Sequence, residues 1–461
     1  ENWHGICEVL PCTNDQEAKF RHAVVLQSQI RVALTIYQLT NFILMMFNVP
    51  LTLSAAELGS LTCPNTHDEF LWGFASYSDF SVYLQNMGVQ RDIDSFLARD
   101  DSNTIVFHDI LKKLCQNQVD GSVSSKLLNL SKFGFNCLVK GVYEFMQYED
   151  YNFMDVSVIL NFLTFFVESP SRNPHSQFLS TGRNVNEKFD YALLANFVEI
   201  CSIIDFKMVK EQSWLRNYDA LNKNFHILLS SMESISDFNI TKAIDHCTAI
   251  TRLVMFRVEE SETKHEVNGG DKVQPNEYRE HGAGLESSLG IRFLDEISCV
   301  SSPIYSQVLF HIFVIFSIFA VYIAKRNNPG GRVGQSHHLN DTWQLNHKFI
   351  VVLKLLAKFE NHLRAQFESR HLDAEMTNLF LLLTGGSHDL YSNGDFQSAE
   401  GDKSSAFAYS LDKALHVLRV GELMMRLLYE RNTKVIILKK LSGSMSQIRK
   451  YLIDEESSIL P

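Results

Sequence analysis

The chain has 461 residues, 45% of them hydrophobic and 21% charged, a balance that excludes wholesale disorder. It contains only 9 prolines and 22 glycines, too few turn-forming residues for a β-sandwich or a β-barrel. A net charge of −11 excludes a nucleic-acid-binding surface along the whole chain, because most of such a chain repels a polyanion.

The first predicted helix covers residues 16–47. Thr13, Asn14 and Asp15 precede it, and such side chains cap helices by accepting hydrogen bonds from backbone N–H groups. Residues 48–50 include Pro50 and end the helix. Its apolar positions include Phe20, Val24, Ile30, Leu34 and the run 42–47.

Later helices follow apolar residues at helical spacing, separated by polar or glycine-containing breaks. Before residue 259 we predict them at 67–87, 91–99, 104–117, 122–147, 153–168, 189–206, 213–233 and 240–258. The segment 259–290 is polar and carries five glycines, which predicts a linker or a long loop. Beyond it we predict a helix start at Ile291, an apolar helix over 308–324, and helices at 345–367, 372–384, 405–430 and 433–453.

A helix with one apolar face cannot bury that face alone, so consecutive helix hairpins must stack. The sequence shows no repeat of fixed period. We therefore predict an all-α fold, an irregular HEAT-like array (α-solenoid) of stacked helix hairpins. Its predicted parts are an acidic N-terminal array over 1–258, a polar linker over 259–290 and a slightly basic C-terminal block over 291–461.

The segment 308–324 is apolar and uncharged, and Lys325 and Arg326 follow it. Extended back to Ile304, it is long enough to cross a hydrocarbon core, and the two basic residues would then lie in the cytoplasm. His311 and Ser317, however, are costly in lipid, and the central helix of a large helical protein is equally apolar all round. We predict a buried helix, with a membrane span near 304–324 as the alternative.

All eight cysteines precede this segment, as expected for the oxidised ectodomain of a single-pass membrane protein. Cys137, Cys201 and Cys247, however, lie within helical patterns among apolar neighbours. That setting predicts reduced thiols that pack as small hydrophobic side chains, and it favours the buried helix.

The sequence contains no compact catalytic motif: it lacks a phosphate-binding loop, a dinucleotide GxGxxG, an HExxH and a GxSxG. His4, Cys7, Cys12 and His22 are of the residue types that bind zinc, but they lack the paired CxxC spacing of a zinc knuckle. Asp100 and Asp101 lie between two predicted helices, where helix capping explains them. We predict that the protein is not an enzyme and has no catalytic, cofactor-binding or metal-ligating residue.

The carboxy-terminal part differs in charge from the rest. Residues 308–461 carry 18 Lys and Arg against 15 Asp and Glu, whereas residues 1–307 carry 24 against 38. This basic end is either a solvated helix face or a contact for an acidic partner, and it is the only part of the chain whose charge allows contact with nucleic acid. The candidate contact residues are Lys434, Lys439, Lys440, Arg449 and Lys450.

These patterns predict a non-catalytic scaffold or adaptor subunit of a larger multiprotein complex, nuclear or cytoplasmic, which binds other protein subunits through an apolar helix face. Arrays of this class commonly serve chromosome-maintenance, transport and tethering assemblies, which is an analogy of fold class alone. The alternative is a single-pass membrane protein with a helical, cysteine-containing ectodomain.

Overall fold

The computed structural model describes most of the chain as helix. The described residues are 15–86, 105–148, 155–168, 184–266, 303–327, 345, 347–357, 360, 403–431 and 435–454. They contain no strand, and the isolated β-bridges Thr62–Val106 and Asn65–Leu130 join only loops and helix ends. The predicted all-α class is confirmed.

The chain forms two compact units, one of residues 1–45 and 49–202, the other of residues 46–48 and 203–461. The predicted linker over 259–290 falls in the range of the second unit. Only its first residues, 259–266, are described, and they belong to a helix. The predicted division of the chain at this linker therefore stays a prediction.

Eight described helices begin in the first unit. They are α1 Gln16–Phe47, α2 Thr66–Trp72, α3 Tyr77–Asn86, α4 Phe107–Cys115, α5 Gly121–Leu128, α6 Lys132–Tyr148, α7 Val156–Glu168 and α8 Asn184–Ile203. The predicted bounds of α1 are confirmed, and the Asp15 carboxylate caps it by accepting from the backbone N–H groups of Glu17 and Ala18. The predicted helix at 91–99 lies outside the described residues.

Two long helices predicted in this unit are each divided in two. The prediction at 67–87 becomes α2 and α3, because α2 ends at Trp72 and Gly73 caps its C-terminus. The prediction at 122–147 becomes α5 and α6. Asn129 ends α5, Leu130 pairs with Asn65, and the Ser131 hydroxyl accepts from the Gly134 N–H at the start of α6. The break depends on a partner that is distant in sequence.

The core of the first unit contains a buried carboxylate. Glu144 of α6 is only 6% exposed. Its carboxylate accepts from the Tyr37 hydroxyl at 2.7 Å, the Ala55 N–H at 2.9 Å and the Asn41 side-chain amide at 3.4 Å. These bonds tie α1 and the loop around Ala55 to α6.

The second unit contains the remaining described helices. They are α9 Lys207–Leu215, α10 Tyr218–Ser231, a short 3-10 turn Met232–Ser234, α11 Asp237–Glu266, α12 Pro303–Asn327, α13 Lys403–Arg431 and α14 Ile436–Asp454, with further helix over 347–357. The single helix predicted at 213–233 is wrong. Arg216 adopts a left-handed φ of 60°, and the Asn217 side chain starts α10 by accepting from the Ala220 N–H. The predicted helices at 291 and 372–384 lie outside the described residues.

The helix α12 lies at the centre of the second unit. Residues 305–324 are all buried, and α12 packs against α11, α13 and α14. The Gln307 side chain donates to the Met46 carbonyl at 3.0 Å, which satisfies a backbone group at the end of α1 that has no helical partner. By length and composition alone, two described helices, α1 and α12, are long and apolar enough to cross a membrane.

Three helices of the second unit meet at Gly421 of α13. A Cβ built there stands 2.7 Å from the sulfur of Met445 in α14 and 2.8 Å from the ring of Phe313 in α12. We expect Gly421→Ala to lower the free energy of unfolding by about 1–3 kcal/mol, because overpacking outweighs the roughly 1 kcal/mol that alanine gains in helix propensity.

Urea unfolding followed by circular dichroism measures this change. Gly121→Ala in α5 is the matched control, because nothing lies within 4 Å of a Cβ built at Gly121. We expect the control to keep or slightly raise stability. A Gly421→Ala protein as stable as the wild type would contradict the close approach of α12, α13 and α14.

Candidate partner-binding surfaces

The first unit exposes an apolar stripe on α1. It consists of Val25, Gln29, Val32, Ile36, Leu39 and Ile43. Val25, Val32 and Leu39 are 53%, 57% and 56% exposed, Ile36 is 43% exposed, and Ile43 is half-buried. The steps between these six residues are 4, 3, 4, 3 and 4, the spacing of a coiled-coil seam. This set is called the α1 stripe.

Sequence reasoning missed the α1 stripe because α1 is apolar on two faces. The prediction named Phe20, Ile30 and Leu34, which the structure buries, and the dense run 42–47, of which Leu44, Met45 and Met46 are buried. The heptad steps from Val25 to Ile43 were present in the sequence as a signal. Periodicity alone could not tell which face packs inside the unit.

Charged side chains of α1 lie at the N-terminal end of the α1 stripe or beside it. Arg21 pairs with Glu17 at 2.5 Å, one turn before the stripe begins. The guanidinium of Arg31 lies over the rings of Trp72 and Phe133, with distances of 5.3 and 5.4 Å to the ring centroids. The stripe itself is uncharged, so it is complementary to an apolar partner surface.

The basic residues predicted as an acidic-partner contact occupy different environments. Lys434 lies outside the described residues. Lys439 and Lys450 are exposed on α14, eleven residues apart, so their directions around the helix axis differ by about 20°. Lys440 is half-buried, and its amine lies 5.5 Å from the ring centroid of Trp214. Lys439 and Lys450 therefore share one exposed face of α14, whereas Lys440 lies on a different side of the helix, against Trp214.

Arg449 makes internal contacts. Its guanidinium lies 3.2 Å from the carboxylate of Glu422, which is 1% exposed and also pairs with Arg426 at 2.8 Å. A buried carboxylate requires such charged partners, because burial without them is costly. In the structure, Arg449 joins α14 to α13. Arg449 and Lys450 are adjacent in the sequence, yet they face different environments.

The second unit also contains a buried acid–base group that sequence reasoning missed. His416 of α13 lies 2.8 Å from the carboxylate of Glu360, and each side chain is 4% exposed. Lys413, one turn earlier, is 2% exposed and its amine lies 5.6 Å from the ring centroid of Phe349. Burial lowers the pKa of Lys413 to about 8. Protein encloses all three groups.

Other chemical candidates are only partly described. His4, Cys7, Cys12, Asp100 and Asp101 lie outside the described residues, and His22 is half-buried on α1. Within the described ranges, no group of three or more His, Cys, Asp or Glu side chains is placed to hold a metal ion.

All five cysteines in the described part of the chain are thiols, as predicted for Cys137, Cys201 and Cys247. Burial raises the pKa of Cys137 to about 12, so this thiol stays protonated at neutral pH. Cys137 and Cys247 pack as buried side chains, and Cys201 is half-buried.

No family model matches the chain, and no solved structure gives a significant match. The surfaces described above therefore carry the functional argument by themselves.

Proposed function

We propose that the protein is a non-catalytic helical scaffold, a subunit of a larger complex, that binds an amphipathic helix of another protein through the α1 stripe. The observation that supports this proposal is the exposure of Val25, Val32, Ile36 and Leu39, each 43% or more, along one helix. Contiguous exposed apolar surface of this kind is typical of protein–protein interaction sites.

The spacing and chemistry of the stripe define the occupant. Its heptad steps present holes that accept side chains from a facing helix, and its lack of charge requires an apolar partner face. Gln29 is the one polar member, and a single polar residue within an apolar seam fixes the register of the facing helix.

The energetics indicate that the α1 stripe forms part of a larger interface. Burying the exposed half of an aliphatic side chain contributes about 1 kcal/mol, so four such residues supply about 4 kcal/mol. Association alone costs about 4 kcal/mol or more. Stable binding therefore needs further contacts beside the stripe, as expected for a subunit of an assembly.

The proposal includes a HEAT-like arrangement and a nuclear or cytoplasmic location. Pairwise packing of helices close in sequence supports the arrangement, since α4 packs on α6, α6 on α7, and α9 on α10. Enclosure of Lys413, His416 and Glu360 supports a non-catalytic role, because a substrate needs access to reacting groups.

A single-pass membrane protein is the second candidate, favoured by the hydropathy of α12. Burial of residues 305–324 by protein supports the core-helix interpretation instead. Alkaline carbonate extraction of expressing cells separates the two: we expect the chain in the supernatant, and retention in the membrane pellet would overturn the scaffold proposal in favour of the span.

Site-specific photo-cross-linking tests the α1 stripe. A benzophenone amino acid at Leu39 of the full chain is expected to form one dominant adduct with another protein in cells. Val32→Lys in the same chain is expected to reduce this adduct at least about tenfold, because burying an unpaired ammonium against an apolar helix is costly. Mass spectrometry of the adduct identifies the occupant.

The matched control places the same cross-linker at Ser125, which is exposed on α5 of the same unit. We expect no adduct with the same protein from this position. Circular dichroism is expected to show unchanged thermal unfolding for Val32→Lys, since Val32 is 57% exposed. An adduct with a second copy of the chain, or none at all, would contradict the proposed occupant.

A further inference from the structure

The outer face of α14 carries two lysines between two exposed isoleucines. In order, this face consists of Ile436, Lys439, Gly443, Ser446, Lys450 and Ile453, at steps of 3, 4, 3, 4 and 3. Ile436 is 63% exposed and Ile453 is 44% exposed. This set is called the α14 face, and it lies opposite the buried positions that include Leu441, Met445 and Ile448. Its middle residues Gly443 and Ser446 are half-buried, and the Tyr218 hydroxyl of α10 lies 3.0 Å from a Cβ built at Gly443, so the exposed part of the face consists of its four end residues.

The positive charges of the α14 face have no acidic counterpart in the described structure. Neither Lys439 nor Lys450 forms an ion pair with a described residue, whereas the neighbouring Arg449 does. The amine of Lys439 lies 6.0 Å from the ring centroid of Tyr429, and Asp454, one turn after Lys450, forms no ion pair with it. Two ammonium groups therefore remain available to an external carboxylate, in a chain whose net charge is −11.

The order of residues on the α14 face disfavours a second copy as the occupant. The face has the same pattern in both directions: isoleucine, lysine, two small residues, lysine and isoleucine. Parallel pairing of two copies places each lysine beside its equivalent, and antiparallel pairing places Lys439 beside Lys450. Both arrangements bring like charges together, which is destabilising.

The exposed isoleucines disfavour a phosphate backbone as the occupant. Nucleic acid is bound by rows of basic residues, each of which releases counterions, and apolar side chains at both ends of the face add nothing to that term. An amphipathic helix with carboxylates between apolar residues complements all four side chains. The lysines then meet carboxylates, and Ile436 and Ile453 are covered.

We infer that the α14 face binds an acidic amphipathic helix of another protein, with two carboxylates spaced about 16 Å apart to meet Lys439 and Lys450. This surface lies in the second unit, and the inference does not depend on the α1 stripe. Because the face has the same pattern in both directions, the bound helix fits in either orientation.

The experiment measures binding of a designed probe to the full chain by fluorescence anisotropy. The probe is a capped, labelled 21-residue helical peptide that carries Leu, Glu, Ala, Ala, Glu and Leu at the steps of the α14 face. We expect saturable binding that weakens at least about tenfold in K439E/K450E, because two attractive charge pairs become repulsive. Binding is also expected to weaken between about 50 and 300 mM salt.

The matched control is K112E/K113E, which makes the same change of charge on exposed lysines of α4 in the first unit. We expect it to bind the probe as the wild type does. Ile453→Ser is expected to weaken binding about threefold or more without a change of charge, and thermal unfolding checks that each variant is folded. Together these results would show that both the lysines and the isoleucines of the α14 face contribute to binding.

The inference would be overturned by no saturable binding of the probe, by equal binding by K439E/K450E, or by tighter binding of a single-stranded DNA 20-mer than of the probe. A scrambled peptide of the same composition, with both glutamates moved off the stripe, is expected to bind at least about fivefold more weakly. Equal binding of the scrambled peptide would show attraction to net charge alone and would also overturn it. These measurements do not involve the α1 stripe, so a failed cross-linking test of the α1 stripe would not change their expected results.

Discussion

Replacing Glu144 by alanine is expected to lower the free energy of unfolding of the first unit by about 3 kcal/mol. The Glu144 carboxylate accepts hydrogen bonds from the Tyr37 hydroxyl and the Ala55 N–H, and both donors are fully buried. Without the carboxylate, these two donors have no protein partner in the folded state, and their burial keeps them from water, to which they donate in the unfolded state. Urea unfolding followed by circular dichroism measures the loss.

Two further variants separate the loss of one hydrogen bond from the loss of the shared carboxylate acceptor. Tyr37→Phe removes one donor together with its bond and is expected to cost about 1 kcal/mol, because no group is left unsatisfied on the donor side. Glu144→Gln keeps the shape of the side chain but turns an amide N–H toward a donor, so we expect a loss between those of the other two variants. An alanine variant that loses no more stability than Tyr37→Phe would contradict the role of Glu144 as a shared acceptor.

The dependence of this effect on pH has a defined sign. Burial raises the pKa of Glu144 above its ordinary value of 4.5, although hydrogen bonds from Tyr37, Ala55 and Asn41 act to lower it. The folded state therefore binds the proton more tightly than the unfolded state. Relative to Glu144→Gln, the wild type should be most stable below pH 4.5 and should lose this advantage as pH rises through the raised pKa.

The sequence predicted α1 from end to end because its boundary signals are local. Asp15 accepts from the first N–H groups of the helix, and Asn48, at a φ of 55°, follows its last residue. At the break around Arg216 the Asn217 side chain is a local cap, but a left-handed arginine is uncommon and its conformation depends on the surrounding packing. Apolar periodicity therefore ran through the break and predicted one helix.

The surfaces were less predictable than the helices, because a surface depends on which face of each helix packs inside. Arg449 and Lys450 looked equivalent in the sequence, and only the packing of α14 on α13 separates the arginine paired with Glu422 from the exposed lysine. His416 and Glu360 are 56 residues apart, so no local pattern joins them. The all-α class depends on composition and periodicity, which are properties of the sequence alone.

Replacing Lys413 by methionine is expected to raise the free energy of unfolding at pH 7 by about 1–3 kcal/mol, because burial lowers the pKa of its amine from 10.5 to about 8. Methionine has an unbranched apolar side chain of similar length and carries no charge that must be buried, although it loses the contact of the Lys413 amine with the Phe349 ring. At neutral pH, the wild type must either bury an ammonium or release its proton on folding.

The sign of the pH effect distinguishes this cause from improved packing. A lysine whose pKa is depressed in the folded state contributes stability above pH 10.5 and loses it as pH falls through about 8. The advantage of Lys413→Met should therefore be largest at pH 7 and should shrink steadily between pH 8 and 10.5. Urea unfolding of both proteins at pH 7, 8.5 and 10 measures it, with Lys354→Met, an exposed lysine of the segment 347–357, as the control. An advantage that stays constant with pH would instead indicate that methionine packs better than lysine, and a loss of stability at pH 7 would show that the fold needs the Lys413 ammonium.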